Sequence, residues 1–98
     1  MFTIHQTDEF SRWLTALRDR RAVLRIVKRI DRLALGNAGD VKPVGEGISE
    51  LRIDYGPGYR VYYVQSGEVV YLLLCGGSKS TQAQDITRAK KLAKELRD

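Results

Sequence analysis

The sequence predicts an α+β fold: a small antiparallel sheet with a mixed edge, a helix hairpin on one of its faces, and a C-terminal helix. Residues 48–75 alternate apolar and polar side chains around two glycine-containing turns, as antiparallel strands do. Residues 8–35 carry two apolar stripes at helical spacing, and residues 81–97 carry a narrower third stripe. With a short strand at the N-terminus, the predicted order is β-α-α-β-β-β-α.

The N-terminal elements are predicted to be one strand and two helices. Phe2 to Gln6 is the candidate strand, at an edge or in the centre of the sheet. Thr7 or Asp8 can cap a first helix that runs to about Asp19. A second helix is predicted from about Arg21 to Leu35. The buried faces of these helices are expected to contain Phe10, Trp13, Leu14 and Leu17 in the first, and Val23, Ile26, Val27, Ile30, Leu33 and Ala34 in the second.

Three strands follow, and their pairing determines which side chains share a face. Ser66-Gly67 is a two-residue hairpin signal between the last two strands, and a longer turn at residues 55–58 joins the first two. The longer turn places Arg52 opposite Arg60. Tyr62 and Tyr71 are expected on the same face as these arginines. The other face is expected to be apolar, with Leu51, Ile53, Tyr59, Val61, Tyr63, Val70, Leu72 and Leu74.

The segments flanking the strands add two lysines. Residues 37–47 form a glycine-rich connector, for which little regular structure is predicted, and Lys42 is its one cation. This segment lacks the phosphate-binding motif that ends in Lys-Ser or Lys-Thr, which argues against nucleotide hydrolysis. Lys79 follows Gly76-Gly77 directly, so it leaves the sheet close to the edge that carries the arginines.

The composition limits the partners and the compartment. The 98 residues predict a single domain, 1–98, and the net charge of +5 favours an anionic partner, with nucleic acid ahead of a membrane surface. No apolar run reaches membrane-spanning length and the N-terminus lacks a signal peptide, so a cytoplasmic protein is expected. With one histidine, His5, and one cysteine, Cys75, neither a metal site nor a cofactor is expected.

The second helix carries a basic stripe. Arg21, Arg25, Lys28 and Arg32 follow one another at spacings of four, three and four residues. Such a stripe is either a solvated helix face or a surface that follows the phosphates of a nucleic acid. The sequence gives these two interpretations equal weight.

Two blocks carry a family resemblance: GDVKPVGEGISELRIDYGPGYRVYY and LLCGGSKSTQAQDITRAKKLA. With the element order, they resemble the RelE/ParE superfamily of type II toxins, and within it the addiction-module killer proteins related to HigB. The resemblance implies a bacterial toxin neutralised by a small antitoxin encoded beside it, with a helix-turn-helix antitoxin as the expectation from the HigB branch. Many members are metal-independent endoribonucleases that cleave mRNA on the ribosome and so inhibit translation. The ParE members instead inhibit DNA gyrase.

The resemblance also implies a site. Arg60 matches the arginine of the family's G-x-Y-R strand, Arg52 lies near the basic position of the preceding strand, and Lys79 stands where the family often places a residue after the last strand. These three are the predicted catalytic residues. The predicted RNA-binding residues are Lys42, Tyr62, Arg25, Lys28 and Arg32.

The expected chemistry leaves one role unassigned. Guanidinium groups suit the stabilisation of charge on a phosphate that is attacked by a 2′-oxygen. Glu50, predicted beside Arg52, is either a base or an ion-pair partner, and the second role is preferred. No residue is an unambiguous proton-transfer group, because no tyrosine follows Lys79 and there is no histidine cluster. Because Arg60, Arg52 and Lys79 converge on one face, an endoribonuclease is nevertheless favoured over a gyrase inhibitor and over a nucleic-acid-binding module without turnover.

Overall fold

The computed structural model describes residues 1–97, so Asp98, the last residue of the predicted domain, lies outside the described part. The elements are β1 (Thr3–Gln6), α1 (Asp8–Ala16), α2 (Arg20–Ala34), β2 (Val41–Gly45), β3 (Ile48–Ile53), β4 (Tyr59–Ser66), β5 (Val70–Ser78), a 3₁₀ turn (Lys79–Thr81) and α3 (Gln82–Arg97). The strands of this part form one mixed sheet in the order β1-β5-β4-β3-β2. β1 runs parallel to β5 and the other neighbours are antiparallel. The predicted α+β fold class is confirmed.

Helices cover both faces of the sheet. α1 and α2 lie against one face, and the core between them and the sheet contains Phe10, Ile26, Leu33, Leu51, Ile53, Val61, Tyr63 and Leu73. α3 lies against the opposite face, over a second core of Ile48, Tyr62, Leu74, Cys75, Ala89, Leu92 and Ala93. The helix hairpin is therefore where the sequence predicts it. Because α3 has a core of its own, it covers most of the face on which the arginines lie.

Side-chain caps determine where the N-terminal helices begin. The Thr7 hydroxyl accepts a 3.0 Å hydrogen bond from the amide of Phe10 and donates one of 2.6 Å to the carbonyl of Leu74, which ties the start of α1 to β5. Asp19 caps α2 with its carboxylate. α1 ends at Ala16, short of the predicted end, because the next residue is extended. Within residues 1–97, none of the helices has the length and apolar character needed to cross a membrane.

The prediction of an irregular connector over residues 37–47 is wrong, because this segment contains β2. Gly45 pairs with Ile48 across a two-residue turn, Glu46-Gly47. Both turn residues have positive φ, 54° and 79°, as a type I′ hairpin requires. β2 consequently forms an edge of the sheet beside β3.

The predicted register is right for β3 against β4 and wrong for β4 against β5. Arg52 lies opposite Arg60, as expected. Ser66 pairs with Val70, which leaves a three-residue loop instead of two residues, and this shift exchanges the two faces of β5. Three predicted positions are corrected as a result: Tyr71 lies on the α1–α2 side, whereas Leu72 and Leu74 lie under α3.

Candidate functional site

A cavity of about 430 Å³ lies where β3 turns into β4 and where β5 leads into α3. It brings together Arg52, Arg60 and Lys79, the three residues predicted to be catalytic, and is termed the cation cavity below. Its other lining residues are Asp40, Asp54, Gly56, Pro57 and Gly58. The three cations supply the guanidinium and ammonium groups that bind a phosphodiester.

The two arginines of the cavity differ in how tightly they are held. Only 7% of the Arg60 side chain is exposed, compared with 39% of the Arg52 side chain. Nη1 of Arg60 donates a 3.1 Å hydrogen bond to the carbonyl of Tyr59. Arg60 is therefore the constrained member of the pair, and Arg52 reaches further into solvent.

Lys79 reaches the cavity from the other side, as the first residue of the 3₁₀ turn after β5. Its amide donates a 2.8 Å hydrogen bond to the carbonyl of Gly58, which belongs to the turn between β3 and β4. This bond joins the chain leaving β5 to the wall of the cavity. It explains why residues distant in sequence converge there.

Glu50 is completely buried beside the two arginines. Its Oε1 lies 3.7 Å from Nε of Arg60 and 3.9 Å from Nε of Arg52. Its Oε2 accepts hydrogen bonds of 3.0 Å from the Tyr62 hydroxyl and 2.8 Å from Nε2 of Gln82. Glu50 therefore meets both arginines as an ion-pair partner, and its burial leaves it no surface with which to contact a substrate.

Arg29, which is not among the predicted site residues, supports the cavity from α2. Its Nη1 donates a 2.6 Å hydrogen bond to the carbonyl of Arg52, and its Nη2 donates bonds of 2.8 and 3.1 Å to two carbonyls of the segment before β2. Burial lowers the pKa of this guanidinium from its usual value. The available signal was an arginine within an apolar stripe, three residues after Ile26 and four before Leu33.

The two carboxylates of the cavity were also missed. Asp54 follows Arg52 by two residues and so shares its side of the strand, a parity that could have predicted its position. Asp40 enters because its carbonyl accepts a 2.9 Å hydrogen bond from the amide of Arg52. That contact depends on the pairing of β2, a strand that was not predicted. Carboxylates placed beside a reacting group can accept a proton.

Lys42 and Tyr62, both predicted to contact RNA, do not line the cation cavity. Lys42 is exposed on β2, opposite Glu50 in the sheet register. Tyr62 is completely buried under α3, where burial and its hydrogen bond to Glu50 raise its pKa. Because a stacking role requires an exposed ring, the structure does not support the predicted contact between Tyr62 and RNA.

The basic stripe of α2 continues from the cation cavity. A second depression of about 290 Å³ is lined by Arg25, Lys28, Arg29, Arg32, Ile53 and Asp54. Asp54 lines both depressions. The guanidinium of Arg25 lies 4.6 Å from the ring centroid of Tyr55, the residue before the glycine-containing wall of the cavity. The three predicted RNA-binding residues of α2 thus lie beside the predicted catalytic residues.

The described residues do not contain a group of three or more histidine, cysteine, aspartate or glutamate side chains arranged to hold a metal ion. Cys75 lies in the core under α3. Burial raises the pKa of its thiol to about 12, which makes it a poor nucleophile.

Comparison with known proteins places the whole of this site within one family. Residues 12–97 match the family described as Phage derived protein Gp49-like (DUF891), a range that contains the three cavity cations and Glu50. A Haemophilus influenzae protein described as uncharacterized is 54% identical over 93 residues, which covers 95% of this chain and 94% of that protein. The chain belongs to the Gp49-like family, a toxin-like family of the RelE type.

Proposed function

We propose that this protein is the toxin of a type II toxin–antitoxin system of the HigB-related branch, and that it is an mRNA endoribonuclease. The family supports the toxin assignment. The observation that carries the enzymatic part is the convergence of Arg52, Arg60 and Lys79 on one cavity. Cations held on a rigid sheet can bind a phosphodiester and stabilise the charge that develops during its cleavage.

The proposed reaction is an internal transesterification. The 2′-oxygen attacks the adjacent phosphorus, the bond from phosphorus to the 5′-oxygen breaks, and a 2′,3′-cyclic phosphate and a 5′-hydroxyl are formed. Arg60 and Arg52 bind the non-bridging oxygens, on which charge accumulates. Asp54 is the proposed acceptor of the 2′-proton, and Lys79 is the proposed donor to the 5′-oxygen. No metal or cofactor takes part in this scheme.

The basic stripe of α2 is proposed to bind the RNA that flanks the cleaved bond. Arg25, Lys28 and Arg32 lie next to the cation cavity and present exposed charge along one side of the helix. Contacts of this kind follow phosphates and carry no base recognition. The proposed substrate is mRNA in the ribosome, where a basic surface can also contact ribosomal RNA.

The family also implies a cognate antitoxin as partner. We place its inhibitory segment, which we expect to be acidic, over the cation cavity. Such a segment would compete with RNA for Arg52 and Lys79, so both residues should be protected from solvent in the complex. Unchanged hydrogen exchange around residues 52–60 and 79 on antitoxin binding would argue against this arrangement.

A second candidate function, inhibition by contact with a target such as DNA gyrase, is favoured by one observation. Leu24 is 69% exposed on the outer face of α2. It lies in a shallow depression with Arg21, Arg25 and Lys28. A contact inhibitor needs such a surface and does not need the cation cavity.

The test is inducible expression in bacteria of the wild type, Arg60→Ala and Lys79→Ala, with growth recorded and mRNA 5′ ends mapped. Lys91→Ala is the matched control, because Lys91 is exposed on α3, away from the cavity, and its loss changes the net charge equally. New 5′-hydroxyl ends are expected with the wild type and the control, and should be absent from folded Arg60→Ala. Purified protein with ribosomes and without them then shows whether cleavage requires the ribosome.

The alternatives predict different results in the same experiment. Growth arrest without new mRNA ends would overturn the nuclease proposal, and sensitivity of that arrest to a Leu24 substitution would favour contact inhibition. Salt-dependent RNA binding without any product or arrest would indicate a binding module.

A further inference from the structure

The fully buried carboxylate of Glu50 has no role in the scheme above. It occupies a boundary on β3, where the apolar core under α3 ends and the cation cavity begins. Ile48, two residues earlier on the same side of the strand, belongs to that core, and Arg52, two residues later, lines the cavity. A buried charge is costly to desolvate, and an apolar residue here would extend the core, so stability alone does not explain Glu50.

The contacts of Glu50 divide between its two oxygens. Oε2 is fixed by the hydrogen bonds from Tyr62 and Gln82, at 3.0 and 2.8 Å. Oε1 has no hydrogen-bond partner and lies 3.7 and 3.9 Å from the Nε atoms of Arg60 and Arg52. One oxygen is therefore anchored to β4 and α3, and this leaves the other between the two guanidiniums.

We propose that Glu50 is a positioning residue of the cation cavity, which holds the guanidiniums of Arg60 and Arg52 in the orientation that serves cleavage. This inference rests on the proposed endoribonuclease function. The Nε side of each guanidinium faces the carboxylate, and Nη1 of Arg60 is held by the Tyr59 carbonyl. The planar group of Arg60 is thus held by a hydrogen bond at Nη1, while its Nε has no hydrogen-bond partner and meets Glu50 only at ion-pair distance. Its small exposed part lines the cavity.

A role through charge and a role through position predict different effects on the cleavage rate, which makes the proposal testable. Glu50→Gln removes a negative charge next to two cations. If Glu50 acted only through its charge, the substitution would strengthen binding and leave the geometry for cleavage intact. If it positions the arginines, binding is kept or strengthened while the rate of the chemical step falls. A small displacement of a group that stabilises the transition state is enough to lower that rate strongly.

The experiment compares wild type with Glu50→Gln in two assays. Affinity is measured with a fully 2′-O-methylated oligoribonucleotide, which cannot be cleaved. The cleavage rate is measured at saturating unmodified RNA, with ribosomes present if the wild type requires them. We expect equal or greater affinity and a cleavage rate that is reduced roughly 10- to 100-fold. In an Arg60→Ala background, the same substitution should reduce the residual rate less than it does in the wild type, because the part of its effect that passes through Arg60 is already lost.

A purely structural role gives a different pattern. Glu50→Gln would then lower the melting temperature without changing the cleavage rate per folded molecule, whether Arg60 is present or replaced. Either that result or full additivity with Arg60→Ala would overturn the proposal. If Glu50→Gln does not fold, Gln82→Met and Tyr62→Phe answer the question, since each removes one anchor of Oε2 and should reduce the rate in the same way.

An NMR measurement separates this inference from the proposed function. The Nε–H proton of Arg60 should exchange slowly with water in the wild type and faster in Glu50→Gln or, failing that, in Gln82→Met. If wild type cleaves no RNA, with or without ribosomes, the endoribonuclease proposal fails, and this exchange still decides whether Glu50 orders the arginine. If wild type cleaves RNA but the exchange is unchanged in the variant, the positioning role alone fails.

Discussion

Gly58 faces Lys79 across the cation cavity, and a Cβ atom on Gly58 would lie 3.4 Å from the Cβ of Lys79, in van der Waals contact. The same atom would lie 3.5 Å from Nη1 of Arg60. Gly58 also has a φ of 79°, in the region that residues with a side chain rarely adopt. The β3–β4 turn thus needs glycine for its backbone, and an added Cβ atom would touch two cations of the cavity at ordinary van der Waals distance.

Gly58→Ala should therefore reduce stability and cleavage together. The positive φ is expected to cost about 1–2 kcal/mol. Relief of this strain should shift the turn, and with it Lys79, whose amide is bonded to the Gly58 carbonyl. Chemical denaturation gives the first quantity, and cleavage of an oligoribonucleotide under conditions in which the variant is folded gives the second.

Gly67→Ala is the matched control for this substitution. Gly67 has a φ of 71°, and an added Cβ atom would meet nothing within 4 Å. Its loss of stability should resemble that of Gly58→Ala, because the backbone strain is similar, whereas its cleavage activity should be unchanged. Equal activity of the two folded variants would contradict the role assigned to Gly58.

The arginine pair was predictable from sequence, because only local rules were involved. Alternation along β3 and β4 and the glycine-containing turn between them were sufficient to place Arg52 opposite Arg60. The hydrogen bond from Lys79 to Gly58 has no local signature. That Lys79 lies near the arginines could be predicted only from the order of the strands, because Lys79 directly follows the last one.

The parts of the fold that were missed depend on turns and on buried polar residues. Glu46-Gly47 could have indicated a hairpin and hence β2, but the surrounding glycines favoured an irregular connector. The β4–β5 loop is one residue longer than predicted, and this difference exchanges the faces of β5. The residue types of the loop do not reveal its length. The buried position of Glu50, with partners on β4 and α3, became evident only once the layers were assembled.

Replacement of Arg25, Lys28 and Arg32 by glutamine should weaken RNA binding mainly through electrostatics. Each lost phosphate contact reduces the slope of log affinity against log salt by about 0.7 for single-stranded RNA, so the triple variant should lose up to roughly two units of slope. Titrations of an uncleavable oligoribonucleotide at several salt concentrations measure this. A wild-type slope in the triple variant would identify the stripe as an ordinary solvated helix face.

Cys75 should be unreactive in the native protein. Burial raises the pKa of its thiol to about 12, so very little thiolate is present near neutral pH. A thiol-specific disulfide reagent should label the protein only after unfolding, and Cys75→Ala should retain cleavage with a loss of about 1 kcal/mol in stability. Rapid labelling of the folded chain, or loss of cleavage in folded Cys75→Ala, would contradict this assignment.

The ion pair between Glu9 and Arg88 should make stability depend on pH. Nη2 of Arg88 lies 2.6 Å from Oε1 of Glu9, and Nε donates a 3.0 Å bond to Oε2, which joins α1 to α3. The hydrogen bonds from Arg88 lower the pKa of Glu9 below its usual value of 4.5. A group whose pKa is lowered by folding stabilises the protein above its unfolded pKa, and this contribution disappears as the pH falls through the folded pKa.

Glu9→Gln should therefore lower the melting temperature near neutral pH and have progressively less effect as the medium is acidified below about pH 4.5. Thermal unfolding of both proteins between about pH 7 and about pH 3 measures this difference. In an Arg88→Met background the same substitution should have a smaller effect near neutral pH, because the partner is already absent. A melting-temperature difference that stays constant with pH would show that Glu9 acts through packing and not through its charge.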